Sequence, residues 1–183
     1  QNNNAKRLHL DYRLFGKHPP EYDDLIHSAF RYRHDLLLKV SNILLSYNLY
    51  PGTYVAMHVR RGDFKIQYPQ IGHITNTQIF NHVKHGIDKS TLLIISDERD
   101  ENLIDMCKTI CKDVICWTNQ RDTLINSMLI DMLCCVPAKR FFATPLSTLS
   151  SGIVTLRKRV GTHRQRDFTI PFDYNQMPHW GKD

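Results

Sequence analysis

The sequence lacks the signatures of several common functional classes. No apolar run approaches the roughly 20 residues that a membrane-spanning helix needs. Neither GxGxxG nor GxxxxGKS/T occurs, which disfavours the standard dinucleotide and P-loop sites. There is also no HExxH zinc motif, no Ser-His-Asp arrangement and no recognition-helix, zinc-finger or aromatic RNA-binding signature. Any chemistry in this chain therefore uses another kind of site.

Cysteine is scarce, and the number of cysteines is odd: Cys107, Cys111, Cys116, Cys134 and Cys135. An odd number leaves at least one thiol free or paired outside the domain. Close cysteine or histidine pairs with suitable loops are absent, so no zinc site is predicted. We predict that the thiols serve as buried small hydrophobic groups, with one disulfide if the protein is lumenal. The absence of any Asn-x-Ser/Thr sequon leans against a glycosylated lumenal domain.

Positive charge is what the sequence has in excess. The net charge is +6, while 42% hydrophobic and 23% charged residues are ordinary for a domain that buries a core. Some basic residues cluster: Arg60 and Arg61, then Arg157, Lys158, Arg159, Arg164 and Arg166. This balance favours phosphorylated or polyanionic partners, with a solvated basic face as the alternative. A basic nucleic-acid or partner-binding domain is thus one hypothesis.

One domain is predicted, flanked by two polar segments. Residues 1–22 form a polar lead-in broken by Pro19-Pro20, residues 23–170 form the domain, and residues 171–183 form a polar tail. The chain opens at Gln1 without an initiator Met, so we expect an excised domain or a trimmed chain.

Within the domain, apolar periodicity predicts strands that alternate with helices. A first helix is predicted from Asp23 or Asp24 to about Tyr47. Strands are predicted at 53–59, 91–96, 114–117 and 140–143, with a short one at 168–170. Helices are predicted at 75–88, 103–111, from the cap Asp122 onward, and from Ser147 to about Val160. This alternation is typical of a doubly wound, mostly parallel, Rossmann-like α/β sheet, which binds ligands beyond the carboxyl ends of its strands.

The first predicted strand ends in the basic segment His58-Val59-Arg60-Arg61-Gly62-Asp63. Strand alternation places His58 and Arg60 on one side, and an arginine fork matches phosphate oxygens. Gly62 permits a tight turn, and Asp63 can hold either arginine in place. A basic surface loop or a structural Arg–Asp pair is the alternative interpretation.

Polar residues also follow two later strands. Asp97 comes after the buried run 92–95 and can accept hydrogen bonds from a base edge or a ribose, or else cap the next helix. The last helix opens with the hydroxyl residues Ser147, Thr148, Ser150 and Ser151. Together with unpaired backbone N–H groups at a positive helix end, these hydroxyls predict a phosphate cradle.

Together these segments resemble the GDP-fucose-dependent fucosyltransferases of the inverting two-domain GT-B type. That group includes the protein O-fucosyltransferases and the α1,6-fucosyltransferases. The family motif His-x-Arg-Arg-x-Asp matches the segment 58–63, the Ser/Thr-Asp strand end matches 94–97, and Ser/Gly-Thr-Phe-Ser-Ser matches 147–151. The motifs occur in the family's order, and the resemblance covers about residues 25–160.

The resemblance implies a role for each matched residue in binding the donor. Arg60 would bind the β-phosphate and neutralise the departing GDP, so it is the catalytic candidate. His58 would contact ribose or phosphates and Asp97 the guanine. Arg61 and Asp63 would shape the pocket, whereas the residues that hold the diphosphate would be Ser147, Thr148, Ser150 and Ser151. The resemblance implies a GDP-sugar as the donor substrate. It implies neither a metal ion nor a cofactor.

The sequence also departs from the family pattern. Phe64 stands where the α1,6 enzymes carry Lys, Tyr68 where they carry a carboxylate, and Leu149 where the third motif has Phe. No general base for the acceptor hydroxyl is identified. In this architecture the acceptor site and often the base come from an N-terminal domain, which we expect to lie outside this chain.

The resulting prediction is a glycosyltransferase that moves a sugar, fucose above all, from a GDP-sugar to a hydroxyl of a protein or glycan acceptor with inversion. A non-catalytic nucleotide-binding module is the main alternative. Nucleic acid is not expected as a partner. We expect that this chain lacks a part of the protein, either an N-terminal domain or a membrane anchor. The resemblance implies the lumen of the ER or Golgi for a eukaryotic source and the cytoplasm for a bacterial or viral one.

Overall fold

A computed structural model describes residues 34–62, 66, 74–117, 124–145, 147–162 and 168–169. The predicted lead-in and tail, the start of the first predicted helix, Asp63 and the predicted cap Asp122 lie outside these residues. The described part contains the following elements: α1 His34–Ser46, β1 Tyr54–Val59, α2 Asn76–Val83, β2 Thr91–Ser96, α3 Glu101–Lys108, β3 Val114–Trp117, α4 Leu124–Cys135, β4 Arg140–Ala143, α5 Thr148–Arg159 and β5 Phe168–Thr169.

The strands form one parallel five-stranded sheet in the order β3-β2-β1-β4-β5. Two apolar cores lie on its opposite faces. On one face, α1, α4 and α5 pack on β-strand residues such as Tyr54 and Phe141. On the other face, α2 and α3 pack on residues such as Met57 and Ile94. The predicted doubly wound, Rossmann-like α/β fold is thereby confirmed.

Side-chain caps fix the starts of the helices. Thr75 and Gln78 form a reciprocal capping box at α2, and Ser147 caps α5. Asp100 caps α3 by accepting a hydrogen bond from the Leu103 N–H at 3.0 Å. The alternative role of Asp97 as the cap of this helix is therefore wrong, because the chain continues for three residues before the helix begins.

One predicted helix is shorter than its pattern. The helix predicted at 75–88 ends at Val83. Gly86 follows in a turn that packs directly on the core ring of Phe142: a Cβ at Gly86 would lie 2.6 Å from the Phe142 Cζ atom. A side chain cannot be placed there without moving the ring, so the apolar residue Ile87 is buried by a turn and not by a longer helix.

The five cysteines are all free thiols, three of them fully buried. Burial raises the pKa of Cys107 to about 11 and that of Cys134 to about 12. The thiols are therefore neutral near pH 7 and pack as small hydrophobic groups, as predicted. In the described segments, no helix is long and apolar enough to cross a membrane.

Arg157 does not belong to an exposed basic cluster, which corrects the interpretation from sequence. Its side chain is 0% exposed, on the inner side of α5. One terminal nitrogen donates to the carbonyls of Cys135, Val136 and Ala138 at 3.1, 2.7 and 2.8 Å, and the other donates to Thr162 O at 2.9 Å. The guanidinium therefore ties the α4–β4 turn to the end of α5, and its charge is not available to a polyanion.

Candidate functional site

The sheet has a topological switch point between β1 and β4. The chain proceeds from β1 to β2 and β3 on one side, and reaches β4 and β5 on the other side of β1. Connections on opposite sides leave a crevice at the carboxyl ends of β1 and β4, where such sheets bind ligands. His58 and Val59 end β1 beside Ile95 and Ser96 of β2, so the three predicted segments meet at this edge.

His58 links β1 to α5 below the crevice. It is 2% exposed, and its Nδ1 lies 2.8 Å from the Ser150 Oγ atom. The same hydroxyl accepts a hydrogen bond from the Thr144 N–H at 3.1 Å. Burial, aided by the positive charge of Arg60, lowers the pKa of His58 to about 3. His58 is therefore neutral near pH 7 and acts as a hydrogen-bonding group, not as a cation.

This neutral histidine predicts a pH dependence of stability. The folded pKa lies below the unfolded value of about 6.5, so the unfolded chain takes up a proton first and the stability falls as the pH drops below about 6.5. Between pH 7 and pH 5 we expect His58 to lower the free energy of unfolding by about 2 kcal/mol. Denaturant unfolding of the wild-type protein and of His58→Asn at both pH values isolates this contribution, since the other titrating groups are shared. If both proteins lose the same unfolding free energy between pH 7 and pH 5, the predicted contribution of His58 is refuted.

The backbone of Arg60 is held by Thr144, the residue that follows β4. The Thr144 hydroxyl accepts from the Arg60 N–H at 3.1 Å and donates to the His58 carbonyl. The Arg60 guanidinium lies 3.4 Å from the Asp97 carboxylate, and its side chain is 36% exposed. Arg60 thus combines a held backbone with a partly exposed guanidinium that lies beside Asp97.

Asp97 faces the two arginines from the end of β2. One carboxylate oxygen accepts from the Arg61 N–H at 2.9 Å, and the other is the partner of Arg60. Gly62 packs so closely that a Cβ there would lie 2.8 Å from the Asp97 Oδ2 atom. In this structure Asp97 therefore contacts both arginines and packs on the turn after β1; the predicted role of Asp63 in holding an arginine lies outside the described residues. Its contact with a guanine stays a prediction.

Arg61 points away from the crevice. Its guanidinium is 3.0 Å from the Asp100 carboxylate and donates to the Asn76 side-chain oxygen. Only 13% of the side chain is exposed. The role of Arg61 in shaping the pocket stays a prediction.

The hydroxyls at the start of α5 divide into two kinds. Ser147 and Ser150 are buried, one as the helix cap and the other in the link to His58. Thr148 is exposed and Ser151 half-buried, and their hydroxyls have no hydrogen-bond partner among the described residues. The N–H groups of Thr148 and Leu149 likewise have no acceptor within the described part of the chain. These groups are the ones that can reach an anion at the helix terminus.

Sequence reasoning missed three residues that build the site. Thr144 brackets the Arg60 backbone, while Asn76 and Asp100 hold Arg61. The position of Thr144 directly after a strand was a usable signal, whereas the other two are ordinary helix-start residues. Across the described ranges, no group of three or more His, Cys, Asp or Glu side chains is arranged to hold a metal ion.

Comparison with known proteins gives similarity of fold. No protein-family model and no curated protein matches the sequence. Two crystal structures of POFUT1, one in complex with GDP-fucose and one apo, match with a TM-score of 0.53 and 14% identity; they cover 70% of this chain and 43% and 44% of theirs. NodZ alpha-1,6-fucosyltransferase soaked with GDP-fucose matches with a TM-score of 0.47 and 17% identity, over 74% of this chain and 46% of its own.

The chain therefore has a glycosyltransferase-like fold, of the kind found in POFUT1. It spans less than half the length of the fucosyltransferase structures that it matches.

Proposed function

We propose that this chain binds the GDP-sugar donor of a glycosyl transfer, with fucose as the sugar, and that the complete protein passes it to a hydroxyl of a protein or glycan. The observation that carries the proposal is the convergence of Arg60 and the start of α5 on one crevice. The Arg60 backbone is bound to Thr144, shortly before α5 begins, and this supports a site that both the Arg60 guanidinium and the positive N-terminus of α5 can reach.

The two positive groups suit a diphosphate in different ways. The Arg60 fork offers paired donors to one phosphate; Thr144 holds its backbone, and Asp97 lies beside its guanidinium. Thr148 and Ser151 offer hydroxyls, and the first turn of α5 offers backbone N–H groups, to the other phosphate. Ser150 and His58 tie the two sides together through their 2.8 Å hydrogen bond. We therefore assign His58 and Ser150 to the framework and Arg60, Thr148 and Ser151 to ligand contact.

The same groups supply the chemistry that sugar transfer requires. When the bond between the sugar and GDP breaks, negative charge develops on the β-phosphate. A fixed guanidinium and a helix N-terminus stabilise that charge without reorganising. This arrangement takes the place of a metal ion at the leaving group. The fucose assignment comes from the three matched motifs and from fold similarity to POFUT1, which was crystallised with GDP-fucose.

Isothermal titration calorimetry on the chain tests the donor site. We expect GDP to bind at least tenfold more tightly than UDP or ADP, because the crevice is proposed to read the base as well as the diphosphate. Equal affinities would contradict the assignment to GDP. Binding of DNA or RNA that falls steeply with salt, together with indifference to GDP, would instead favour the basic nucleic-acid-binding alternative.

Transfer is a separate question from binding. Turnover of GDP-fucose should be measured on the full-length protein, since the acceptor side is proposed to lie outside this chain. Tight GDP binding without turnover in the full-length protein would favour the non-catalytic nucleotide-binding module.

A further inference from the structure

Three side chains from three elements form a closed triangle behind the turn that follows β1. Arg61 is 3.0 Å from Asp100 through one terminal nitrogen and donates to Asn76 through the other. The Asn76 amide nitrogen donates to both Asp100 oxygens, at 3.1 and 3.2 Å. Asn76 is the first residue of α2, and Asp100 is the N-cap of α3. The starts of two helices are thereby joined to the end of β1.

The triangle determines which way the neighbouring arginine faces. Val59 packs in the core that contains α2 and α3, and strand alternation sends Arg61 toward the same face. Arg60 is then directed to the other face, where Thr144 and the start of α5 lie. Anchoring Arg61 restrains the peptide between the two arginines, and with it the direction in which the Arg60 side chain leaves the backbone; the Arg60 guanidinium itself lies beside Asp97.

We propose that Asp100 and Asn76 are positioning residues of the diphosphate site, acting through Arg61. This inference rests on the proposed function, and neither residue belongs to a motif found in the sequence. A positioning residue that lies behind the binding arginine does not occupy the ligand site. It can still set the affinity, because a phosphate gains most from a guanidinium that is already in place.

Asp100 has a second task that has to be separated from this one. It caps α3 through the Leu103 N–H. Burial opposes its ionisation, but hydrogen bonds from Leu103 and Asn76 and the charge of Arg61 outweigh that effect, so its pKa lies below the usual value. Asparagine caps a helix about as well as aspartate but brings no charge to Arg61. Asp100→Asn therefore preserves the cap and loosens the triangle.

The experiment measures GDP affinity of the chain by calorimetry, with thermal unfolding alongside. We expect Asp100→Asn to weaken GDP binding about tenfold while the melting temperature changes little. Arg61→Lys keeps the charge but loses the planar fork, and we expect a similar loss. The matched control is Asp105→Asn, an exposed acid on the same helix that pairs with Lys108; it should bind GDP as the wild type does.

A double-mutant cycle adds a readout that a purely structural role would not move. If Asp100 acts through Arg61, the variant with both substitutions should lose about tenfold and not about a hundredfold, because the second change removes nothing further. Additive losses, or wild-type affinity in Asp100→Asn, would overturn the proposal.

The outcome is distinguishable from a failure of the proposed function. GDP binding that Arg60→Ala removes, together with unaffected binding in Asp100→Asn, would uphold the function and overturn the positioning role. If the wild-type chain does not bind GDP, the proposed function fails. The positioning role fails with it, because there is then no diphosphate site for Asp100 and Asn76 to position.

Discussion

Arg60→Ala is expected to weaken GDP binding about 30- to 150-fold. A charge-assisted hydrogen bond contributes about 2–3 kcal/mol, and Arg60 is the guanidinium that is proposed to bind the diphosphate. The guanidinium is partly exposed, so its removal should leave the fold intact. Calorimetric titration of the variant with GDP, beside its circular dichroism spectrum, provides the measurement.

Lys158→Ala is the matched control for this substitution. It removes one exposed positive charge from the far end of α5, distant from the helix start that is proposed to bind phosphate. We expect its GDP affinity to stay within a factor of two of the wild type. Undiminished affinity in Arg60→Ala, or equal losses in both variants, would mean that net charge and not this site attracts the nucleotide.

Arg157→Ala is expected to lower the free energy of unfolding by about 3–5 kcal/mol. The substitution removes the Arg157 donor from the buried carbonyls of Cys135 and Ala138 and from the partly buried carbonyls of Val136 and Thr162; those of Cys135 and Val136 keep one other donor each. For a domain of this size such a loss lowers the melting temperature by roughly 6–20 °C. Differential scanning calorimetry or urea unfolding measures it.

Two comparisons sharpen this prediction. Lys158→Ala, at the next and exposed position, should change the stability by less than about 0.5 kcal/mol. Arg157→Lys keeps the charge but lacks the planar fork that reaches the carbonyls. Its loss of unfolding free energy should lie between those of Arg157→Ala and Lys158→Ala. If Arg157→Ala unfolds at the wild-type temperature, the guanidinium does not hold the α4–β4 turn.

The fold was readable from the sequence because its signals are local. The strands 91–96, 114–117 and 140–143 are short apolar runs that lie where the pattern predicted them. Strand order is not a local property, but alternation with helices limits it to parallel, right-handed arrangements. The early end of α2 could not be predicted, because the apolar pattern continues to Ile87, which the structure buries in a turn beyond the helix.

The site was only partly readable. Strand alternation predicted that neighbouring residues of the first motif point to different sides, but not their partners: the Arg60 guanidinium lies beside Asp97 and that of Arg61 beside Asp100. Among the α5 hydroxyls, the pattern could not tell the buried Ser150 from the accessible Thr148. Arg157 looked like a surface cation because sequence does not record which carbonyls lack a donor. Each of these differences arises from contacts between distant segments.

The central claim is that a nucleotide diphosphate lies between Arg60 and the start of α5. Amide chemical-shift mapping of the ¹⁵N-labelled chain during a GDP titration tests it most directly. We predict that the largest shifts fall on residues 60–62, 97 and 148–151, around the crevice at the carboxyl ends of β1 and β4. Shifts centred on the basic end of α5 near residues 158–162, or no shifts at saturating GDP, would contradict the claim.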